Sequence, residues 1–323
     1  MNRRRACAVL VGAAALAAGI GAGDATASPE AIKMLIPANP GGGWDQTARA
    51  LGAAMQSAGL AKQVQYDNRG GAGGTIGLAQ FVSSAKGDPA QLMVAGLVMV
   101  GAIELQKSPI SLAQVTPIAR LTAESEAIVV PAGSKFRTLG DLLAQFKANP
   151  ASVSWGGGSA GGTDHILVGL IAKAVGADSA RINYVPFKGG GEALQAILGG
   201  HVSAGVSGYG EFAEQVRAGK LRVLAVSGGA RVSGLDAPTL KEQGIAVDLT
   251  NWRGVFAAPG LTDAQRQDLV KLVLATVKTP AWQETLRKMD WNDVLLTGED
   301  FGNFVAAESQ RAGAVLREIG LAK

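Results

Sequence analysis

The chain has 323 residues, of which 47% are hydrophobic and 17% are charged, and its formal net charge at neutral pH is +4. This composition fits a folded protein with room for two domains that each bury a core, and it excludes a disordered chain. Beyond the N-terminal segment there is no block of basic residues, which argues against nucleic acid or anionic lipid as a partner.

The N-terminal segment has the pattern of a signal peptide. Arg3–Arg5 form a basic start, an apolar stretch from 6 to 22 follows, and Ala25–Ala27 provides a small-residue cleavage site. We predict that residues 1–27 direct export and are cleaved after Ala27; the adjacent arginines also allow the twin-arginine route. A membrane anchor is disfavoured because the stretch is short and weakly hydrophobic. The only cysteine, Cys7, leaves with this segment.

The first part of the remaining chain alternates strand and helix patterns separated by glycine-rich turns. Such alternation predicts parallel strands flanked by helices, which is an α/β fold. Strands are predicted at Ile32–Ile36, Val64–Tyr66 and Leu92–Ala95, with helices over Asp45–Met55 and from Thr75.

A second set of alternating elements begins near residue 127, and the C-terminal part is predicted to be mainly helical. Strands are predicted at Ala127–Val130, Ser152–Trp155, Ile182–Val185, Val202–Val206 and Leu221–Val226, with helices at Thr138–Phe146, Ile166–Val175 and Glu192–Leu198. Thr138 is the candidate N-cap of the first of these helices. In the tail, Thr262 and Gln265 form a capping box, Thr279-Pro280 starts a helix, and Thr297 caps the last helix.

Three glycine-rich turns, at 37–45, 156–164 and 187–192, each follow a predicted strand and precede a predicted helix. Ligands of open α/β sheets bind beyond the carboxyl ends of the strands, where helix N-termini offer unpaired N–H groups and a partial positive charge. Glycine lets the backbone come close to an anion. The three turns therefore predict a cradle for phosphate, sulfate or carboxylate.

Polar side chains in these turns have structural as well as ligand-binding interpretations. Ser159 and Thr163 offer hydroxyl donors, although capping explains Thr163 equally well. Asp164 supports its own helix, and Asp45 either caps a helix or accepts from a hydroxyl or amino group of a ligand. Lys188 either neutralises a carboxylate or is simply solvated.

An enzyme interpretation rests on the second turn, because Gly157–Gly161 matches the G-x-S-x-G nucleophile motif of hydrolases. A secreted serine hydrolase using Ser159 with His201 and Asp178 is therefore the alternative, although glycine-rich chains match this motif by chance. The same turn has a G-x-G-x-x-G spacing, but the next strand leads to Lys188 where a dinucleotide site needs an acidic residue. No cofactor or metal site is predicted.

Four motifs resemble those of the tripartite tricarboxylate transporter receptors, also called Bug-type periplasmic binding proteins. They are Ile36–Asp45, Asn68–Gly77, Tyr184–Glu192 and Gly219–Val226, and the resemblance extends from about Ala31 to Lys323. Four glycine-containing motifs in this order are much more specific than one.

The resemblance implies an α/β, two-domain fold of the type II periplasmic-binding-protein kind, with a ligand cleft between the domains. The expected domains are 28–128 plus 229–323 and, second, 129–228, with the turns at 37–45 and 156–164 as opposing jaws. The implied function is capture of a small carboxylate by domain closure in the periplasm and delivery to the membrane subunits of a tripartite tricarboxylate transporter. A non-enzymatic monomer is expected.

The second turn departs from the common family pattern, because it is shorter and more acidic. This form, together with Arg253–Gly254, is similar to receptors for citrate-like tricarboxylates; an amino-acid or dicarboxylate receptor is the other interpretation on this fold. Arg253 is expected to pair either with a distal carboxylate or with a surface acid. The predicted ligand-binding residues are Asn39, Gly42, Gly43, Trp44, Asp45, Gly74, Ser159, Gly161, Thr163, Asp164, Lys188, Ser207 and Arg253.

Overall fold

A computed structural model of the chain describes residues 31–322, so the predicted signal peptide lies outside the described residues. The strands are β1 Ala31–Ile36, β2 Gln63–Asn68, β3 Gln91–Gly96, β4 Thr116–Pro131, β5 Ser154–Gly157, β6 Asn183–Pro186, β7 Ala204–Gly208, β8 Leu221–Val226, β9 Thr250–Ala257 and β10 Asn292–Thr297. The α-helices are α1 Gly43–Ser57, α2 Thr75–Ser84, α3 Leu97–Gln106, α4 Leu139–Ala148, α5 Thr163–Val175, α6 Gly190–Leu198, α7 Tyr209–Arg217, α8 Asp263–Val277, α9 Pro280–Met289 and α10 Gly298–Glu318.

Two groups of parallel strands carry the helices. In one group β1 lies between β2 and β3, and all three run parallel. In the other group β5 lies between β6 and β7, again in parallel. The mixed α/β architecture predicted from the alternating pattern is confirmed, and in each group the carboxyl ends of the strands meet at one edge.

The long strand β4 joins the two groups. Its first part, Thr116–Ser125, pairs antiparallel with β9, and β9 in turn pairs with β3. From Glu126 onwards β4 pairs with β7 and β8. Because the change of partner falls within a single strand, the two α/β halves share a continuous backbone at their junction. The chain returns to the first half through residues 227–249.

The strands and helices bury their apolar side chains in a hydrophobic core. The buried residues form one large cluster and a smaller one around Val129, Ile197 and Phe212 in the second half. Trp155 is fully buried and packs edge-on against Phe146, with ring centroids 5.2 Å apart, so it belongs to the core. Among residues 31–322, no helix combines the length and hydrophobicity that crossing a membrane requires.

The capping predictions are confirmed at three helix starts. The Thr138 hydroxyl accepts from the Asp141 N–H at 3.1 Å, and the Thr262 and Thr279 hydroxyls accept equivalent bonds. Thr297 stands at the N-cap of α10 without a side-chain bond.

Several elements differ from the prediction. The sequence patterns did not predict α3, α7, β9 or β10, and they placed β5 and β7 two residues too early, at Ser152–Trp155 and Val202–Val206. The helix α3 follows β3 without a turn and is apolar on most sides, so neither a break nor a 3.6-residue period marks it.

Candidate ligand-binding site

A cavity of about 60 Å³ lies where the three glycine-rich turns meet. Its lining residues come from both halves: Pro37, Ala38, Gly42, Gly43, Trp44, Val98, Gly158, Ser159, Asp164, Lys188, Gly189, Gly190, Ser207, Glu211, Asn251 and Arg253. Eight predicted site residues are among them, namely Gly42, Gly43, Trp44, Ser159, Asp164, Lys188, Ser207 and Arg253. The other five, Asn39, Asp45, Gly74, Gly161 and Thr163, do not line the cavity.

The first and third turns are in direct contact across the cavity. The Asn39 N–H donates to the Lys188 carbonyl at 3.3 Å, and the Asn39 side-chain amide donates to Glu192. A methyl group on Gly42 would stand 2.8 Å from the Gly190 backbone nitrogen. The structure therefore shows the two halves in a closed arrangement.

Four helices, α1, α5, α6 and α7, begin at this cavity, and each has an acidic residue in its first turn. Three of these acids accept from backbone N–H groups: Asp45 from Gly41 at 3.1 Å, Asp164 from Gly158 at 2.6 Å, and Glu192 from Lys188 at 3.3 Å. Part of the backbone cradle predicted for an anion is therefore already used by the protein's own carboxylates.

Asp45 has a structural role in its own half. Arg49 and Asn68 donate to its Oδ1 at 2.9 and 3.0 Å. Burial on its own would raise the pKa of Asp45, but the hydrogen bonds from Arg49, Asn68 and Gly41 lower the pKa below its ordinary value. Neither interpretation made from sequence describes these contacts, because α1 has no side-chain cap bond at its N-cap Gly42 and Asp45 does not line the cavity.

Two residues at the start of α5, Asp164 at the cavity wall and His165 next to it, hold the second turn. Burial raises the pKa of Asp164 to about 6 and lowers that of His165 to about 4. The Gly161 N–H donates to His165 Nδ1 at 3.1 Å, and the imidazole stacks on Tyr184 with centroids 4.1 Å apart. A neutral imidazole satisfies this bond, because Nδ1 must accept.

Two other predicted residues support the cavity from behind. The Thr163 hydroxyl donates to Asn251 Oδ1 at 3.2 Å and so links α5 to β9. Gly74 has a φ of +90°, and a methyl group there would stand 2.8 Å from the Trp44 ring. Only glycine both adopts this conformation easily and leaves room for Trp44, which lines the cavity.

Arg253 is buried at the cavity wall, with 1% of its surface exposed. The prediction of a surface ion pair was wrong, because antiparallel pairing places Arg253 opposite Gly96, at the carboxyl end of β3. Its guanidinium donates to Glu124 and lies 3.6 Å from Glu211 Oε1. Attraction by these carboxylates outweighs the effect of burial, so the pKa of Arg253 is raised and the group is cationic.

Three acids with buried side chains beside Arg253, namely Glu124, Glu126 and Glu211, were not predicted from the sequence. Burial raises the pKa of Glu211 to about 8 and that of Glu126 well above its ordinary value. The signal available in the sequence was two acids two residues apart in the apolar run of β4, since a spacing of two puts both on one face of a strand. Within residues 31–322 no group of His, Cys, Asp and Glu side chains is arranged to hold a metal ion.

The hydrolase alternative was wrong, because its three residues are not brought together. Ser159 follows the carboxyl end of β5, whereas His201 precedes the amino end of β7, and these strands are parallel neighbours. The two side chains therefore lie towards opposite ends of the sheet. Asp178 instead accepts from the Ala180 N–H at 3.0 Å.

Comparison with known proteins agrees with this architecture. The sequence model of the tripartite tricarboxylate transporter family receptor (TctC) matches residues 47–321. Protein BugT of Bordetella pertussis strain Tohama I is 31% identical over 328 residues, which covers 99% of each chain.

Solved structures of periplasmic binding proteins show the same two-domain fold. The periplasmic binding protein BugD superposes with a TM-score of 0.81 at 24% identity, covering 91% of this chain and 99% of its own. The structure of Rhodopseudomonas palustris Rpa4515 with adipate superposes with a TM-score of 0.82 at 23% identity, covering 91% of this chain and 98% of its own. The structure of MatC from the same organism, with bound malate, superposes with a TM-score of 0.76 at 22% identity, covering 89% of this chain and 99% of its own. These likenesses confirm the predicted fold class.

Proposed function

The chain belongs to the tripartite tricarboxylate transporter receptor family, and from this premise we propose that it is a periplasmic solute-binding receptor. It captures a small carboxylate in the cavity between its halves and delivers it to the membrane subunits of a tripartite transporter. Capture requires no covalent chemistry, so the protein acts as a binder and not as an enzyme. The predicted signal peptide, residues 1–27, supports the periplasmic location.

The observation that carries the proposal is the convergence of two cationic side chains and several glycine-rich turns on one cavity. Lys188 lies at the exposed side of the cavity, and Arg253 forms part of its buried wall. Charge-assisted hydrogen bonds from such groups contribute about 1.5–3 kcal/mol each. A few of them suffice for micromolar affinity after the cost of association.

Closure of the two halves explains how the ligand is held. The lobes proposed to move are 28–128 plus 229–323 and, opposite, 129–228, joined through β4 and residues 227–249. In the closed structure the cavity of about 60 Å³ has room for only a few water molecules. The lobes therefore separate to admit a ligand, and contacts to both lobes favour re-closure. A monomer suffices for this cycle.

The finer prediction for the ligand is citrate or a related tricarboxylate, which rests on the sequence of the second turn. Structural neighbours are described with malate and with adipate, which are dicarboxylates. A ligand screen must therefore vary the number of carboxylate groups in each ligand.

Isothermal titration calorimetry against a carboxylate panel tests the proposal. The panel contains acetate, malate, succinate, adipate, citrate, tricarballylate and aspartate, with glucose as an uncharged control. We expect at least one di- or tricarboxylate to bind with a dissociation constant in the micromolar range or below and to raise the melting temperature. Binding of none of these acids would contradict the proposed function.

A further inference from the structure

The wall of the cavity has an unexpected charge for an anion receptor. Glu211 of α7 and Asp164 of α5 line it together with Arg253 of β9. Glu124 accepts from Arg253 and from the Trp291 indole at 3.0 Å, so the charge of Arg253 is already shared. A ligand carboxylate therefore meets more acidic than basic side chains in the buried part of the cavity.

Two polar atoms at this wall have no partner among the described residues. They are Glu211 Oε2 and Arg253 Nη1, on side chains that are only 7% and 2% exposed. Buried polar atoms are normally paired, and unpaired ones call for an explanation. Both side chains line the cavity, where a group bound in it can pair with them.

The surroundings of Glu211 determine which form of its carboxyl group suits an anion. The charged groups that face Glu211 on the cavity side are Glu124 and Glu126 on β4, Asp164 on α5, Arg253 on β9 and Lys188. On its outer side Glu211 borders a groove that is also lined by Glu214, Arg217 and Lys288. Glu124 already takes the shorter contact with Arg253, which leaves Glu211 at 3.6 Å. A neutral Glu211 removes one of the like charges and turns its free oxygen into a donor.

We propose that Glu211 binds the ligand carboxylate as a neutral acid. One ligand oxygen accepts from the Glu211 O–H and the other accepts from Arg253 Nη1. The ligand class is therefore a carboxylate anion held by a carboxylic acid and a guanidinium, and capture retains one proton on the receptor. This inference rests on the proposed receptor function and adds a residue that determines affinity.

Burial independently supports the neutral form, because it raises the pKa of Glu211 to about 8. Ionisation of Glu211 above that pH adds a negative charge and removes the donor. Affinity then falls as the pH rises through 8. With this pKa the loss between pH 7 and pH 9 is about tenfold.

Calorimetry at pH 6, 7, 8 and 9 tests the inference, with whichever of malate and adipate binds more tightly as the probe. Both acids are fully ionised from pH 7 to 9, so a change in affinity over this range reports the protein. In Glu211→Gln an amide N–H replaces the acid O–H. We expect this variant to lose the pH dependence between pH 7 and 9. Glu214→Gln, one turn along α7 and exposed, is the control and should keep the wild-type profile.

Two results overturn the inference while leaving the receptor function intact. One is a wild-type affinity for malate or adipate that does not change between pH 7 and 9. The other is an affinity of Glu211→Gln that falls between pH 7 and 9 as that of the wild type does, which would assign the pH dependence to another group. Failure of the wild type to bind either acid at any of these pH values overturns the inference too, and in that case the wider carboxylate panel decides whether the receptor function also fails.

Discussion

Gly42 and Gly190 face each other across the cavity, and the ideal methyl position on Gly42 lies 2.8 Å from the Gly190 nitrogen and 3.5 Å from its Cα. Gly42 precedes α1 and Gly190 begins α6, so this contact joins the first half of the fold to the second. The absence of two side chains allows the glycine-rich turns to close on one another.

Substitution of Gly42 by alanine is therefore predicted to impair closure. The backbone of Gly42, with φ −89° and ψ 175°, suits alanine, so the fold itself should tolerate the change. We expect ligand affinity to fall at least tenfold by calorimetry, with the ligand-free melting temperature unchanged. Gly133→Ala is the matched control, because its methyl group meets nothing within 4 Å. Wild-type affinity in Gly42→Ala would contradict the closure mechanism.

Lys188→Ala should weaken carboxylate binding at least tenfold. Lys188 lines the cavity and is exposed, so its removal takes away a cation without leaving a buried group unpaired. A charge-assisted bond of about 1.5 kcal/mol corresponds to roughly tenfold in affinity. Lys147→Ala, on the exposed side of α4, serves as the control. Equal dissociation constants for the two variants would exclude Lys188 from the site.

Arg253→Met should lower the free energy of unfolding much more than the removal of an arginine from a half-exposed ion pair. The variant leaves Glu124 buried without its cation, and breaking a buried pair in this way costs about 3–5 kcal/mol. Denaturant unfolding measures the free-energy difference. Arg231→Met removes a half-exposed pair with Glu242 and should cost at most about 1 kcal/mol. Similar losses in both variants would show that the buried network contributes little stability.

The ligand-free protein should lose stability as the pH rises from 7 to 8. The folded-state pKa of Glu211, about 8, lies above its unfolded value. Between these two pKa values only the folded state still holds the proton, so the free energy of unfolding falls as the pH rises and levels off above pH 8. The slope is at most about 1.4 kcal/mol per pH unit for one group. The raised pKa of Glu126 also makes stability fall with rising pH. The pKa of His165 is lowered to about 4, so His165 makes stability rise with pH, but only at a pH lower than this range.

Melting temperatures at pH 7.0, 7.5 and 8.0 measure this slope. Glu211→Gln should show a smaller slope than the wild type, while Glu214→Gln should match the wild type. An unchanged slope in Glu211→Gln would mean that Glu211 is ionised in the folded protein at pH 7.

Ser159 should not react with a serine-directed phosphonate probe. Neither histidine serves Ser159 as a base, because His165 Nδ1 accepts from Gly161 and His201 lies towards the opposite end of the sheet. Intact-mass spectrometry after incubation at neutral pH should show no adduct. A stoichiometric adduct on Ser159, absent from Ser159→Ala, would reopen the hydrolase interpretation.

The fold was largely predictable from sequence because strands and helices alternate clearly in both halves. Capping residues such as Thr138 and Thr262 act over three residues, so their signals are local and were read correctly. The strand β9 was missed because Thr250–Ala257 mixes polar and apolar residues and is buried through pairing with β3 and β4, which are distant in sequence.

The backbone part of the candidate site was easier to predict than its charged part. Glycine-rich turns after strands point to the cavity by a local rule, and eight predicted residues line it. The positions of Glu124 and Glu211 depend on how β4 and α7 approach Arg253, which only tertiary packing determines. Asp45 and Thr163 were predicted at the ligand, but neighbouring side chains use their polar atoms.

A crystal structure with the tightest-binding acid of the panel shows whether both glycine-rich turns hold the ligand. We predict that one carboxylate group lies in the cavity and contacts both the 37–45 turn and the 156–164 turn, with Arg253 within hydrogen-bonding distance. A bound acid that touches only one of these turns, or that lies outside the cavity, would contradict the account.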